Sequence, residues 1–596
     1  MASRGLVAAA LALAVALGGC AAPRADLPPA PEAGSGFVAK PGWTASRFMV
    51  AAAHPLTAQA GARMLREGGS AIDAAVAVQM VLNLVEPQSS GIGGGLFLLH
   101  HDGRRVQAYD GRETAPGDAT PDLFLRDGRP MAFLDAVVGG RSVGTPGVLR
   151  ALELAHRQHG RLPWKTLFEP AIELAEAGFP IGPRLATLLR QPDAQALRRD
   201  PEAAAYFFEP DGTPKAVGTR LRNPAFAALL RSIAERGPDA WYAGEVAREI
   251  VAKVRGHAGN PGRLREADLS GYRAKERTPL CIEHRRWRVC GMPAPSSGTL
   301  AIGQMLGLLD GRGLEALAPV PAASGPEPHP QAVHLISEAG RLAYADRARY
   351  VADPDFVTLP GGNADAMLSP KYLQERGALI GERSMGRAEP GVPLAPAVSQ
   401  ADDRSAELPS TSHVSIVDGE GRMLSMTTSI ENVFGAQIMV RGVLLNNELT
   451  DFSFVPQEGG RPVANRVEPG KRPRSSMTPL LVFDRASGAP VMSLGSPGGS
   501  SIINYVLKVL VATLDWGLDV QQAIALPNVG SRNGPTELER GRVSPALVEA
   551  LRARGHDVRL IEQTSGLQAI QRVERDGRAL WFGAADPRRE GIGVGD

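Results

Sequence analysis

The chain has 596 residues with 65 basic and 63 acidic side chains, so its formal net charge is only +2 at pH 7. Charged residues are 21% of the total and no basic block stands out, which argues against a nucleic-acid-binding role. Apolar residues make up 43%, enough for a large core, and length alone would suggest more than one domain.

The N-terminus reads as an address. Arg4 precedes an apolar run, Leu6 to Leu17, and then Gly18-Gly19-Cys20. Leu17-Gly18-Gly19-Cys20 resembles a bacterial lipobox, which implies removal of residues 1–19 and lipidation of Cys20. A plain secretory signal with an incidental Cys is the alternative. Residues 20–43 then serve as a Pro/Ala-rich tether. Ala21 is not an Asp-type retention signal, so the expected place is the periplasm, anchored to the outer membrane by the N-terminal lipid alone.

Folded structure is expected from residue 44. Leu56 to Leu65 reads as a helix stopped by Gly68-Gly69. Ser70-Ala71-Ile72-Asp73 looks like a capping box opening a helix over Ala71 to Leu84. That helix is apolar all round and too short to span a membrane, so it belongs in a core. Gly91 to Gly95 leads into a strand, Leu96 to His100; no Lys-Ser/Thr follows, so it is no phosphate loop. Arg112 leaves the next strand where it could grip a carboxylate with two parallel bonds, or form a structural ion pair. Thr145-Pro146 and Asn223-Pro224 each look like the start of a helix, to His159 and Arg236. Residues 164–178, 239–255, 298–309 and 331–351 read as further helices. Cys281 and Cys290 flank a short strand–turn–strand; a disulfide and two buried thiols are both open.

Residues 384–409, rich in Pro, Ala and charge, precede a clean strand pattern. Thr411, His413, Ser415 and Val417 share one face, with Ser412, Val414 and Ile416 on the other. Asp418 to Gly421 is a turn, and Met423 to Ser429 returns. A Thr that becomes a chain N-terminus carries its own base, an α-amine with a pKa of about 8. The chemistry suggested is self-cleavage of the Ser410–Thr411 bond by the Thr411 hydroxyl; β-propensity at a strand start is the plain alternative. Gly442 to Phe452 reads as a buried strand ending in acidic side chains. Strands follow at Leu480 to Phe483 and Pro490 to Leu494. Gly498-Gly499 then precede an apolar helix, Ile502 to Leu514. Free N–H groups there could hold an oxyanion, and a tight turn explains the glycines equally well. Ser544-Pro545 opens a helix to Arg554, and the last strands fall near 557–562, 568–574 and 579–584.

Thr411-Ser412-His413, Leu444 to Asn447 with Asp451-Phe452, Lys471-Arg472-Pro473 with Ser475-Ser476-Met477, and Gly495 to Gly499 occur in that order. With Asp110 to Glu113, Gly144 to Gly147 and Ala343 to Arg347, they resemble the γ-glutamyltranspeptidase family from about residue 45 onward. The resemblance implies an α+β fold of N-terminal nucleophile hydrolase type, a four-layer αββα sandwich. It implies a large chain, residues 44–410, and a small chain, 411–596, that build both sheets jointly and form a heterodimer.

The same resemblance makes Thr411 the nucleophile and Ser429 its hydroxyl partner. Arg112, Ser475 and Ser476 would hold the donor α-carboxylate; Glu431, Glu448 and Asp451 its ammonium; Gly498 and Gly499 the oxyanion. The donors implied are glutathione and other γ-glutamyl compounds, with water, an amino acid or a dipeptide as acceptor. No metal or organic cofactor is implied. Glutaryl or cephalosporin-type acylases share the fold, but their acyl group has no ammonium for Asp451. A lipid-anchored relative that lost the chemistry is the rival of a different class. The stretch Ser453 to Arg466, where family members carry an aromatic lid, looks short and lacks Tyr and Trp, so a more open site is expected.

Overall fold

The computed structural model describes residues 33–395, 400–405, 408 and 410–596. Cys20, the leader and most of the tether lie outside the described residues. No helix among those described is long and apolar enough to cross a membrane.

Two antiparallel seven-stranded sheets form the centre. In the first the strand order is Trp43–Ala45, Arg578–Ala585, Gln568–Arg575, Pro490–Gly495, Leu480–Asp484, Trp287–Gly291 and Leu280–His284. In the second it is Ile592–Gly595, Met49–Ala52, Ser412–Val417, Met423–Ser429, Gly95–His101, Val106–Gly111 and Lys275–Arg277. Each sheet takes strands from both sides of residue 411. The chain is therefore not divided into domains at that point, whatever its length suggests.

Side-chain alternation builds the layers. From strand Met49–Ala52, Val50 and Ala52 enter a helical core with Val414 and Ile416, while Met49 and Ala51 face the other sheet. Helices Pro55–Arg66 and Ala71–Val85 cover the second sheet. Helices Gly298–Leu309, Pro330–Tyr350 and Ile502–Leu514 cover the first. The order is helix, sheet, sheet, helix, as the resemblance implied.

The strand before the central hairpin runs Ser412 to Val417 and pairs Ser412 with Thr428. Asp418 closes its turn, Oδ1 accepting the N–H groups of Glu420 and Arg422 at 3.0 and 3.1 Å. His413 points between the sheets, its ring nitrogens 2.9 Å from Thr427 Oγ1 and 3.3 Å from Ser415 Oγ. Gly495 permits this, since a Cβ there would stand 2.2 Å from the ring. Cys281 and Cys290 are direct partners across a hairpin and form a disulfide.

Three local expectations change. Thr145 does not cap a helix: it bridges to Thr114, and the helix runs Val148–His159 from an N-cap at Gly147. The long strand over Gly442 to Phe452 shrinks to Val443–Leu444, followed by a 3-10 turn, Glu448–Asp451. Asn446 bends the chain there by bonding Gly93 O and Gly144 O through its amide. Residues 164–178 and 239–255 each break in two, at Phe168 and Ala243.

Candidate active site

The Ser410–Thr411 bond is held on both sides. Ser410 Oγ donates to Gln88 O at 3.0 Å, and Ser412 Oγ to Glu86 Oε2 at 2.7 Å. Glu86 is fixed in turn by Arg184 at 2.6 Å. These anchors come from the turn that ends helix Ala71–Val85, so the apolar helix places the bond. Between the anchors Thr411 has φ = +149°. A β-branched residue rarely takes a positive φ, and such a conformation costs about 1–3 kcal/mol. Thr411 Oγ1 lies 3.3 Å from Ser429 Oγ, which also accepts the Glu431 N–H at 2.8 Å.

Thr411 opens onto a small, partly open cavity. Arg112, Ser410, Ser429, Glu431, Glu448, Asp451, Ser475, Ser476 and Gly499 line it as well. The structure thus gathers ten of the eleven sequence-predicted residues it describes around one space. Gly498 is the exception: it adjoins the lining residue Gly499 but is not itself part of the lining, and at its φ of +136° a Cβ would meet the Tyr505 ring at 2.6 Å. Leu408, Met477 and Ile502 also line the cavity, and sequence reasoning missed them.

The floor is charged and buried. Arg112 donates to Glu448 through Nη1 and to Asp451 through Nη2. Its Nε and Nη2 also reach Pro473 O and Arg474 O, at 3.2 and 2.9 Å, so the guanidinium cannot swing. Burial opposes its charge, but the charges of Glu448 and then Asp451 outweigh burial and keep it protonated. Burial raises the Glu431 carboxyl well above the usual range, and the charges of Asp451 and Glu448 add to this. Burial also raises Glu448, with Arg112 pulling it back. Asn447 holds one Glu431 oxygen; the other has no partner among the described residues. Opposite, Arg347 holds Ser476 Oγ at 2.7 Å and Ser297 Oγ at 2.7 Å. Arg347 lies in the Ala343 to Arg347 stretch that the sequence comparison used without giving it a role.

The Ser453 to Arg466 stretch forms a small exposed hairpin, Gln457–Glu458 with Arg461–Pro462. Its aromatic residue, Phe454, turns away and stacks on Phe124, ring centroids 4.5 Å apart.

One other buried cluster has metal-ligand chemistry: His334, Glu338 and His556, with ligand atoms within 4.8 Å of one another. Each ring nitrogen there already has a partner. Gly381 O can only accept, so in neutral rings the direction runs back from it to Thr536, which accepts from Arg341 at 3.0 Å and donates to His556 Nδ1 at 2.7 Å. His556 Nε2 then donates to His334 Nδ1 at 2.8 Å, and His334 Nε2 to Gly381 O at 2.8 Å. Two neutral histidines account for the whole chain of bonds.

A family model described as Gamma-glutamyltranspeptidase matches residues 57–595. The glutathione hydrolase proenzyme of Bacillus subtilis (strain 168) is 36% identical over 560 residues, 92% of this chain and 91% of that protein. The corresponding proenzyme of Escherichia coli (strain K12) is 34% identical, over 97% of each chain. The acylase ACY 1 proenzyme of Pseudomonas sp. (strain V22) is 36% identical over 88% of this chain and 90% of its own. Among solved structures, the cephalosporin acylase from Bacillus halodurans superimposes with a TM-score of 0.80 at 27% identity, covering 94% of this chain and 97% of its own.

Proposed function

The chain belongs to the gamma-glutamyltranspeptidase family, and from that premise we propose that it is a self-processing γ-glutamyltransferase and glutathione hydrolase. In the first reaction Thr411 Oγ1 attacks the Ser410 carbonyl, and the peptide becomes an ester. Water cleaves the ester, leaving Ser410 as a carboxylate and Thr411 as a free amine. The positive φ of Thr411 favours this step, because moving the acyl group from nitrogen to oxygen releases the constraint.

In the second reaction the new amine takes the proton from Thr411 Oγ as the oxygen attacks the γ-carbonyl of the donor. The oxyanion is held by N–H groups at Gly498 and Gly499. The C–N bond breaks, and the same proton leaves with the departing amine, such as cysteinylglycine from glutathione. Water or an amino acid or dipeptide amine then takes the γ-glutamyl group from Thr411. Two half-reactions through one ester give ping-pong kinetics.

The observation that carries this reading is the facing of one fixed cation and three acids in the cavity beside Thr411. Within the chain Arg112 pairs with both Glu448 and Asp451. A zwitterionic donor brings a carboxylate to Arg112, Ser475 and Ser476, and an ammonium to the acids. A glutaryl group brings only the carboxylate and strands buried acids. The acylase likeness of the fold supports the second reading, a glutaryl or cephalosporin-type amide acylase, which the acid cluster disfavours. The leader at residues 1–19 and Cys20 support a periplasmic, lipid-anchored placement.

Assay of the purified two-chain protein with γ-glutamyl and glutaryl anilides decides between the readings. Preference for the γ-glutamyl anilide is expected; preference for the glutaryl one would overturn the proposal.

A further inference from the structure

Glu113 follows Arg112 and is fully buried, yet neither of its carboxyl oxygens meets a donor among the described residues. Its Oε2 stands 3.9 Å from Arg112 Nη1, beyond hydrogen-bonding reach. What lies against Glu113 is the carboxyl of Glu448. Glu448 Oε2 also lacks a donor, its other oxygen being taken by Arg112. The slot is shaped to hold Glu113 there. A Cβ on Gly95 would come within 2.2 Å of Glu113 Oε2, and one on Gly144 within 2.9 Å of Glu113 Cβ.

Three buried oxygens without donors are not tolerable as two carboxylates side by side. A single hydrogen between them makes a donor and an acceptor. Its own backbone N–H faces the carboxyl without making a hydrogen bond of good geometry, and the other side chains facing Glu113 cannot supply the hydrogen. Arg112 is committed to Glu448, Asp451, Pro473 O and Arg474 O. Tyr272 donates its hydroxyl to Arg112 O at 2.6 Å. Glu431 and Asp451 are acids on the far side of Glu448. Burial first, and then the Glu448 charge, favour a neutral Glu113, with Arg112 a partial offset.

We propose that Glu113 is a positioning residue of the donor pocket: it donates its carboxyl hydrogen to Glu448 and so aims that carboxylate at the donor ammonium. The inference rests on the γ-glutamyl reading above. Glu113 does not touch the reacting atoms. It sets the orientation of an acid that does touch the donor. When rising pH ionises Glu113, Glu448 loses its donor and gains a like charge beside it, so the donor KM rises.

Glu113→Gln supplies an amide N–H in place of the carboxyl hydrogen and cannot lose it. Its donor KM should stay within about threefold of the natural value at neutral pH, while the rise in KM with increasing pH flattens. Glu113→Ala should raise the donor KM roughly 10- to 100-fold at every pH, with kcat changed less. Ionisation of the donor amine is common to all three proteins and cancels in the comparison. A packing role alone would not alter the pH profile in Glu113→Gln. The hydrogen itself can be observed without turnover, in uncleaved Thr411→Ala protein. The infrared carbonyl band of a protonated carboxyl should disappear when Glu113→Gln is added. Absence of that change, or an unaltered pH profile in Glu113→Gln, would overturn the proposal. If the natural protein cleaves no γ-glutamyl anilide, the functional reading fails, and the infrared result still judges the shared hydrogen.

Discussion

Two of the buried polar clusters in this molecule are built in opposite ways. Around His334 and His556 each ring nitrogen has a partner, and the bonds tie residues before position 411 to Thr536 and His556 after it. Around Arg112 the acids outnumber the cation, and even with the hydrogen assigned to Glu113, Glu431 Oε1 has no donor among the described residues. A closed network is finished when the chain folds. An open one is finished only by something that arrives later, which is how a binding site differs physically from a structural knot.

The contrast can be broken most severely at the edge of the open cluster. Thr411→Ala should leave one uncut chain by intact mass and lower turnover at least about 10³-fold; two chains from this variant would refute the nucleophile. Asp451→Asn should reduce the γ-glutamyl over glutaryl preference by roughly 100-fold in kcat/KM, because the group that rejects the wrong acyl chain is gone. His556→Ala tests the closed cluster. It strands His334 and should cost about 2–4 kcal/mol in denaturant unfolding while leaving the donor KM unchanged. A shifted KM would show that the two clusters are coupled.

The smallest effect concerns pH. Burial lowers His413 to about 3, below the 6.5 of an unfolded chain. As pH falls from 6.5 towards 3 the unfolded chain takes up a proton that the folded one refuses. Stability from this group is therefore complete above 6.5 and lost going down, by at most about 1.4 kcal/mol per pH unit. His413→Gln should flatten the acid limb of melting temperature against pH, and an unchanged limb would remove His413 from the account.

Local signals in the sequence were legible where the chain decides locally. Ser70 and Asp73 form the expected capping box. Asn223 and Ser544 cap the helices that begin at Pro224 and Pro545. The hairpin after Thr411 alternates as its pattern says. Strands Trp43–Ala45 and Ile592–Gly595 went unread because they are short and exist only by pairing with distant segments. The disulfide needed the register that places Cys281 opposite Cys290. At the site, the family resemblance supplied the residue types, and the structure brought ten of those it describes to one cavity. It could not supply the pairing of Arg112 with Glu448 and Asp451, which depends on two distant segments meeting. Glu113 was visible as a neighbour of Arg112, but its missing donors are a property of packing alone.

The interleaving of the sheets has a consequence for how long such a protein lasts. Ser412–Val417 lies between Met49–Ala52 and Met423–Ser429, and the disulfide joins two residues on the same side of the cut. Under the proposed cut at Ser410–Thr411, nothing covalent would hold the pieces together, yet neither could leave without stripping strands from both sheets. Unfolding then becomes a one-way event, since the pairing was made while the pieces were one molecule and loop closure was intramolecular. The mature enzyme would be protected by the height of a barrier and not by an equilibrium. Its survival should be read as a half-life, which heating shortens steeply and cooling does not restore.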